Sequence, residues 1–346
     1  MHVAITADPM LPVPPRLYGG IERIIDMLVC GLVDRGHNVT LFAHEDSDVP
    51  CQLIPYSGTE AQSVIDTLRN TLTVSRLAVD RSDLIHSFGR LAYLGPLLPL
   101  RLPKIMTYQR DPSVDQIQRA MSLARSGSLA FTGCSNHIAE RIRPYAPAHT
   151  VYNGVALDTY DYQPEIEDDA PLVFLGRIAP IKGTHTAVEV ARRTGRRLVI
   201  AGNVPDDEQG FFQEHVEPHL DGRRICYVGP VDDTEKNKLL GRAAAFLMPI
   251  EWEEPFGIVM AEAMACGTPV IGTRRGSVPE VVEDGVTGFV GESVDDLVDA
   301  VGRIDELSRS ATRRRCERLF SDRAIVDAYL EVYHELSSSK TSSAST

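Results

Sequence analysis

Two glutamates, Glu254 and Glu262, lie on either side of a glycine-containing turn that leads into an apolar segment, in EWEEPFGIVMAEAMACG. A helix start presents unpaired N–H groups and the positive end of the helix dipole, and both favour a phosphate. If a helix begins near Pro255, the stretch to Glu262 spans about 12 Å, roughly the length of a sugar–diphosphate–ribose unit. Carboxylates accept hydrogen bonds from hydroxyl groups, so Glu254 could contact the sugar and Glu262 the ribose. The pattern indicates a nucleotide-sugar site and hence a glycosyltransferase. The alternative is that Glu254 only caps the helix electrostatically and Glu262 is an exposed acid on it.

Two cations, Arg177 and Lys182, follow a predicted buried strand in PLVFLGRIAPIKGTH, residues 171–185. A helix is predicted to begin near Gly183, directly after them. An arginine binds phosphate oxygens bidentately and a lysine acts as a point charge, so the pair could neutralise a diphosphate without a metal. A solvated loop with two surface cations is the alternative.

Gly19 and Gly20 stand immediately before a predicted helix, Ile21–Arg35, after the proline-rich run DPMLPVPPRLY. A glycine pair at a helix start can offer amides to a phosphate or admit a sugar close to the backbone. A flexible turn fits equally well. The remaining candidates follow predicted strands and would line a cleft: His86, Asp111 and Ser135.

Short β-rich runs alternate with helical patterns in both halves, which predicts an α/β fold with doubly wound parallel sheets. The predicted strands are His2–Ala7, Asn38–Ala43, Leu84–Ser87, Lys104–Gln109, Leu129–Ser135, Thr150–Tyr152, Leu172–Leu175, Leu198–Ala201, Ile225–Val228, Ala245–Pro249 and Pro269–Gly272. The predicted helices of the second half are 183–194, 209–219, 233–242 and 256–266.

The acidic, proline-containing segment 158–170 is predicted to link two Rossmann-like domains, 1–157 and 171–322. An amphipathic helix at 323–337 is expected to pack back on the first domain, and the serine-rich tail 338–346 is expected to be disordered. Ligands bind beyond the carboxyl ends of parallel strands, so the two domains are expected to face a shared cleft.

The composition, with 43% hydrophobic and 24% charged residues among 346, is that of a soluble globular protein. No apolar run reaches the length of a membrane span, and the start MHVAITADPM lacks the features of a secretory signal. The six cysteines form no CxxC pair, which favours free thiols in a reducing cytoplasm over a metal site or disulfides.

The net charge of −13 is unevenly distributed along the chain. Residues 1–160 carry 14 basic and 15 acidic side chains, whereas residues 161–346 carry 21 and 33. Such an acidic second half repels nucleic acid and anionic lipid at long range, so no nucleic-acid partner is expected. The near-neutral first half leaves peripheral attachment to the inner face of the membrane open.

Seven motifs together resemble the retaining glycosyltransferases of family 4. They are YGGIE (18–22), DLIH (83–86), CSNHIAERI (134–142), VYNGVALDTY (151–160), FLGRIAPIKG (174–183), EPFGIVMAE and GTPVIGTRRGSVPEVVEDGVTGFV (267–290). The resemblance implies the GT-B fold, in which the second domain holds a nucleotide diphosphate sugar of the UDP-glucose or GDP-mannose type. It places the acceptor, whether carbohydrate, lipid-linked or small molecule, on the first domain, and it implies a role in carbohydrate biosynthesis.

The same resemblance implies a role for each candidate residue. It places Arg177 and Lys182 at the diphosphate, Glu254 at the transferred sugar, Glu262 at the ribose, the amides of Phe256, Gly257, Ile258 and Val259 at the phosphates, Val231 near the base, and Gly19 and Gly20 near the β-phosphate. Many relatives carry a histidine after the fourth strand, where this chain reads MTYQRDP, so Gln109 or Arg110 is expected to replace it.

The implied reaction needs neither metal nor cofactor. The leaving diphosphate takes the acceptor's proton on the same face of the sugar, which retains the anomeric configuration. Three other classes stay open: a sugar-nucleotide epimerase of GT-B architecture, a nicotinamide-dependent oxidoreductase, and a non-catalytic binding protein. The oxidoreductase is disfavoured because the first strand lacks a G-x-G-x-x-G fingerprint.

Overall fold

The computed structural model describes residues 1–16, 19–60, 62–79 and 81–342, with side chains described as far as residue 338. The chain divides into two compact units. The first comprises Met1–Asn153 together with the C-terminal segment that starts at Asp322, and the second comprises Gly154–Ser321.

Each unit is built on one all-parallel sheet. The strands of the first unit are β1 (His2–Thr6), β2 (Asn38–Ala43), β3 (Gln52–Pro55), β4 (Leu84–Ser87), β5 (Lys104–Tyr108), β6 (Leu129–Gly133) and β7 (Ala148–Thr150), and those of the second are β8 (Leu172–Leu175), β9 (Leu198–Ala201), β10 (Ile225–Tyr227), β11 (Ala245–Met248), β12 (Val270–Thr273) and β13 (Gly288–Gly291). The spatial orders are β3-β2-β1-β4-β5-β6-β7 and β10-β9-β8-β11-β12-β13. Both are doubly wound, as the alternating sequence pattern predicts.

Helices connect the strands and cover the sheets. They are α1 (Gly20–Asp34), α2 (Val64–Ala78), α3 (Val114–Leu123), α4 (Asn136–Ile142), α5 (Thr184–Thr194), α6 (Gln209–His215), α7 (Asp233–Gly241), α8 (Ile258–Ala265), α9 (Val278–Val281), α10 (Val294–Val301), α11 (Arg309–Leu319) and α12 (Asp322–Ser342). Among the described residues, no helix is both long and apolar enough to cross a membrane.

The last helix, α12, packs against α1 in the first unit. Gly31 of α1 allows this close approach, because a Cβ at that position would lie 2.5 Å from the side chain of Val326. Arg35 also pairs with Asp327 at 2.6 Å. The helix continues to Ser342, into the segment predicted to be disordered, and residues 343–346 lie outside the described residues.

The predicted linker makes its contacts within the second unit. Tyr160 is buried there, and the N–H of Gln163 donates to the carbonyl of Cys266 at 3.1 Å. The N–H of Asp161 donates to the side chain of Asn237 at 3.0 Å. The segment is therefore fixed to the second unit by side-chain and backbone hydrogen bonds, which its acidic composition did not indicate.

Candidate active site

The predicted donor-site residues lie beyond the carboxyl ends of the strands of the second sheet. Strands β8 and β11 are neighbours. From β8 the following strands are added toward the β10 edge of the sheet, and from β11 they are added toward the β13 edge. Such a reversal of strand order is the point at which doubly wound sheets bind ligands, beyond the carboxyl ends of the strands. The loops that leave this point, 176–183 and 249–257, carry the predicted cations and Glu254.

Lys182 and Glu254 form an ion pair across these two loops. The Nζ atom of Lys182 lies 2.6 Å from Oε2 of Glu254, and the same oxygen accepts the indole N–H of Trp252 at 3.0 Å. The ammonium group also lies 4.7 Å from the centroid of the Trp252 ring, within the range of a cation–π contact. The other carboxylate oxygen, Oε1, has no hydrogen-bond partner within the described part of the chain, so it can accept from a ligand hydroxyl.

A glycine brings the two loops together. Gly183 adopts φ 71°, and a Cβ there would lie 1.8 Å from the carbonyl oxygen of Pro249. The N–H of Glu251 then donates to the carbonyl of Ile181 at 2.9 Å, which joins the loops through their backbones. The backbone position of Lys182 is therefore fixed by the packing of the two loops against each other.

The helix after β11 begins later than the sequence predicts. Gly257 has φ 72°, a left-handed conformation that cannot belong to an α-helix, so α8 begins at Ile258 and Pro255 lies outside its first turn. No side chain caps this helix start. The N–H groups of Ile258 and Val259 lie in the first turn, where intrahelical acceptors are lacking, and remain suited to an anion, whereas the N–H of Met260 donates to the carbonyl of Gly257 at 2.9 Å.

A second glycine packs closely against the backbone of the loop that carries Glu254. Gly276 has φ 53°, and a Cβ there would lie 2.4 Å from the backbone nitrogen of Glu254. The N–H of Ser277 donates to the carbonyl of Glu254 at 2.9 Å, and its hydroxyl donates to the carbonyl of Phe256 at 2.9 Å. Buried Phe256 thus serves as a fixed point of the loop.

Glu262 has two partners that sequence reasoning did not identify. Its Oε1 atom accepts from the Tyr160 hydroxyl at 2.8 Å and from Lys236 Nζ at 2.6 Å. Lys236 also pairs with Asp233 at 3.0 Å. Oε2 has no hydrogen-bond partner among the residues described, so Glu262, like Glu254, presents one fixed oxygen and one available oxygen.

Two arginines of α11 satisfy the carboxyl end of α8. Arg309 donates to the carbonyl of Cys266 at 3.2 Å, and Arg313 donates to the carbonyl of Ala265 at 2.6 Å. Burial lowers the pKa of Arg309 to about 10. Cations at this end of a helix complement its dipole, so α11 fixes the orientation of the helix that carries Glu262.

Two other donor-site candidates also follow the carboxyl ends of strands in the second sheet. Arg177 follows β8, is exposed, and makes no hydrogen bond or ion pair with another described residue. Val231 is half-buried and immediately precedes Asp232, the residue that caps α7. The amides of Ile258 and Val259 belong to the first turn of α8.

His86 lies in the core of the first unit rather than on a surface that a ligand can reach. It is fully buried, with Nδ1 2.7 Å from the Tyr333 hydroxyl and Nε2 2.6 Å from the Thr107 hydroxyl. Burial lowers its pKa to about 3, so the ring is neutral. Because both nitrogens have protein partners, we leave His86 out of the candidate site.

Other first-unit candidates also have structural partners. Ser135 is buried and caps α4, accepting the N–H of Ile138 at 3.2 Å. Gln109 and Asn153 exchange two amide hydrogen bonds, of 2.9 and 2.6 Å. Arg110 is exposed, as is Asp111, which pairs with Arg141 at 2.9 Å.

Helix α1 begins at Gly20, one residue earlier than predicted, with Gly19 at its N-cap, and a carboxylate occupies the space beside them. A Cβ on Gly19 would lie 2.8 Å from an oxygen of Glu22, and burial is the main factor that raises the pKa of that carboxyl. Tyr18 of the same motif lies outside the described residues. A contact between these glycines and a phosphate stays a prediction.

The corresponding reversal of strand order in the first sheet, between β1 and β4, is flanked by an acidic and a basic residue that the sequence analysis did not identify. Asp8 follows β1 and Arg90 follows β4, and the two approach to 3.8 Å. Arg90 Nε and the Tyr93 hydroxyl are buried without hydrogen-bond partners among the described residues. Their positions after strands were the only available signal, and neither belongs to a motif with a mechanism.

Two family profiles match consecutive parts of the chain. The profile described as Glycosyltransferase Family 4 matches residues 18–159, and that described as Glycosyl transferases group 1 matches residues 159–318. Together with the two Rossmann-like sheets, these matches define a glycosyltransferase of GT-B fold. The chain belongs to glycosyltransferase family 4.

Relatives of this chain match along most of their length. Spore coat protein SA of Bacillus subtilis is 24% identical over 97% of this chain and 100% of its own. Glycogen synthase of Mycobacterium tuberculosis is 27% identical over 92% of each chain. The crystal structure of AviGT4, a glycosyltransferase involved in avilamycin A biosynthesis, is 25% identical, covers 97% of this chain and 98% of its own, and has a TM-score of 0.74.

Proposed function

We propose that this glycosyltransferase moves a hexose from a nucleotide diphosphate sugar, of the UDP-glucose or GDP-mannose type, to an acceptor hydroxyl with retention of anomeric configuration. The observation that carries the proposal is the Lys182–Glu254 pair at the β8–β11 reversal, beside the uncapped start of α8. A cation, a carboxylate and the amides of a helix start at one point match a diphosphate bonded to a sugar.

Each group then has one task. Lys182, Arg177 and the amides from Phe256 to Val259 stabilise charge that develops on the leaving diphosphate. The available oxygen of Glu254 accepts a hydroxyl of the transferred sugar, and that of Glu262 accepts a ribose hydroxyl. Val231 contacts the base. Stabilisation of a leaving group by fixed donors commonly contributes several kcal/mol to a barrier.

Retention is proposed from the membership in family 4. A front-face route is proposed because the carboxylate at the transferred sugar, Glu254, is held by Lys182 and Trp252 and is assigned to a sugar hydroxyl rather than to attack on the anomeric carbon. The departing diphosphate oxygen takes the acceptor's proton as the new glycosidic bond forms on the same face. With Lys182 and Arg177 beside the diphosphate, we propose that neither a metal nor a cofactor is required. We place the acceptor on the first unit, where Asp8 can accept from a hydroxyl and Arg90 can donate to one.

The lone tryptophan of the chain gives a direct test of donor binding. Trp252 contacts both Lys182 and Glu254, so its fluorescence should change when a nucleotide sugar binds. Titration with UDP, GDP, ADP and their hexoses identifies the donor, and a donor at 100 times its dissociation constant should stabilise the protein by about 2.7 kcal/mol. Proton NMR of the product then reports anomeric configuration, and activity in EDTA reports metal dependence.

The alternative functions predict different outcomes of the same assays. An epimerase converts the donor into an epimer without any acceptor. A nicotinamide-dependent oxidoreductase binds NAD and leaves nucleotide sugars unchanged. If no nucleotide sugar alters Trp252 fluorescence or is consumed, the proposed donor site is wrong.

A further inference from the structure

Helix α2 turns an apolar face toward solvent. The exposed fractions are 82% for Val64, 64% for Ile65, 59% for Leu68, 44% for Leu72 and 39% for Val79, which follows the helix and retains helical backbone angles. Since successive helical residues are rotated by about 100°, these five side chains occupy one arc about 100° wide. They therefore form a continuous strip along the helix, which we call the α2 strip.

The opposite face of α2 is firmly attached to the first unit. Val74 and Ala78 are buried, and the side chain of Asn70 exchanges two hydrogen bonds with the backbone of Gly58, of 2.8 and 3.2 Å. Ser63 caps the helix by accepting the N–H of Asp66 at 3.1 Å. The orientation that exposes the α2 strip is thus fixed by buried contacts.

Two arginines lie along one edge of the α2 strip. Arg69 and Arg76 are both exposed, and their helical positions adjoin those of Ile65 and Leu72. Asp66 lies toward the buried side, with 16% of its side chain exposed, 3.6 Å from Arg69. The exposed arc itself carries only positive charge.

Size and charge decide which partner fits this face. The helix is 15 residues long, so the strip measures about 22 Å by 10 Å, or about 220 Å². A stable protein interface needs about 800 Å² from each partner, and an antiparallel pairing of α2 with that of a second copy would also bring the arginine edges of both copies together. An anionic bilayer accepts a narrow apolar strip and complements its arginine edge.

We propose that α2 docks this protein on the surface of an anionic lipid bilayer, with the α2 strip inserted at the level of the headgroups and Arg69 and Arg76 bound to lipid phosphates. The proposal does not depend on the identity of the donor or acceptor. Docking would hold the first unit at the membrane, where an acceptor carried by a lipid is found.

Co-sedimentation with lipid vesicles tests this proposal on the full chain. The probes are vesicles of phosphatidylcholine alone and of phosphatidylcholine with phosphatidylglycerol, at low and at physiological ionic strength. The wild-type protein should bind the anionic vesicles and should bind more weakly as salt is added. Leu68→Gln/Leu72→Gln should lower the partition coefficient about tenfold or more, and glutamine preserves helix propensity.

Two further variants separate the contributions. Arg69→Gln/Arg76→Gln should weaken binding to anionic vesicles about fivefold per arginine. The matched control is Val228→Gln/Val286→Gln, which removes two exposed apolar side chains, 52% and 42% exposed, from the second unit and should leave binding unchanged. Circular dichroism and the melting temperature verify that all variants fold.

Three results would each overturn the assignment. The first is wild-type protein that does not bind anionic vesicles, and the second is unchanged binding by folded Leu68→Gln/Leu72→Gln. The third is a wild-type dimer, seen by light scattering, that becomes monomeric in that variant, because it would assign the α2 strip to a second copy of the chain.

Discussion

The ammonium group of Lys182 lies 2.6 Å from the carboxylate oxygen of Glu254 that also accepts the Trp252 indole N–H. The two charges come from loops after neighbouring strands, and both side chains are largely buried, with 22% and 10% exposed. In the proposed reaction the carboxylate orients the ammonium group while its second oxygen contacts the sugar. The pair thereby links recognition of the sugar to stabilisation of its leaving group.

Replacement of Lys182 tests this link. Lys182→Ala should lower kcat by a factor on the order of 10²–10³, because the loss of one leaving-group contact typically costs about 3–4 kcal/mol of barrier. The melting temperature should change little. Lys238→Ala, at an exposed lysine of α7, is the matched control and should retain activity. Steady-state kinetics with the identified donor provide the measurement, and equal kcat in the two variants would contradict the role of Lys182.

The Glu262 site should control donor affinity more than turnover. Glu262→Ala removes a charged acceptor of a ribose hydroxyl, a hydrogen bond worth about 1.5–3 kcal/mol, so the donor dissociation constant should rise roughly 10- to 150-fold. Tyr160→Phe should raise it less than about fivefold, because Lys236 still holds the carboxylate. Titration of Trp252 fluorescence measures both. An unchanged dissociation constant in Glu262→Ala would remove this residue from the donor site.

Gly276 offers a test of the loop that carries Glu254. In Gly276→Ala the new methyl group would lie 2.3 Å from the carbonyl oxygen of Glu254, so the loop must move. A displacement of about 1 Å can cost roughly 10²-fold in rate, and we expect kcat/KM to fall to that extent. Gly285→Ala is the matched control, since Gly285 has a similar left-handed φ of 74° but its added methyl group would have no heavy atom within 4 Å. Comparable activity in both variants would show that the Glu254 loop tolerates the displacement.

His86 should make the protein sensitive to acid. Its pKa is about 3 in the folded protein, below the ordinary value of 6.5, because burial disfavours the charged ring. Between these two pH values the unfolded chain binds a proton that the folded chain does not. The free energy of unfolding should therefore fall on acidification with an added slope of about 1.4 kcal/mol per pH unit, with no such contribution above about pH 6.5.

Urea denaturation of wild type and His86→Gln from about pH 7 to about pH 5 isolates this contribution, because the carboxylates are common to both proteins. Glutamine can bond to the hydroxyls of Thr107 and Tyr333 without titrating. The wild-type midpoint should fall more steeply than that of the variant. Parallel pH profiles would refute the assignment of acid sensitivity to His86.

The sequence predicted the central strands well, because buried parallel strands are continuous apolar runs. Asn38–Ala43, Leu84–Ser87, Leu172–Leu175 and Leu198–Ala201 have the predicted bounds. The edge strands β3 and β13 were missed. The residues of β3 are only half-buried or exposed, and β13, with the sequence GFVG, begins and ends with glycine.

Helix α2 escaped prediction for a different physical reason. Four of its large apolar residues, Val64, Ile65, Leu68 and Leu72, face solvent, while Asn70 and Thr71 are buried beside Val74. A pattern search assumes that the apolar face packs on the core and therefore cannot recognise a helix with the opposite orientation.

Sequence position located the loops of the candidate site but not the partners of its carboxylates. Lys182 and Glu254 are predictable because both follow strands, and strand order brings those strands together. Lys236 is far from Glu262 in sequence and lies in the polar helix α7, which looks like an ordinary exposed helix. Only the packing of α7 beside α8 reveals its role.

Arg309 has a consequence for any attempt to shorten this protein. Its guanidinium group donates to four backbone carbonyls and one hydroxyl, contributed by Gln163, Gly241, Ala243, Cys266 and Thr268. None of these residues is proposed to touch the donor. A truncation that ends before Arg309 would keep every proposed donor-binding side chain. It would nevertheless remove the five hydrogen bonds by which Arg309 holds the segments around these side chains together. The smallest functional fragment must therefore extend well past the last residue that is proposed to contact the substrate.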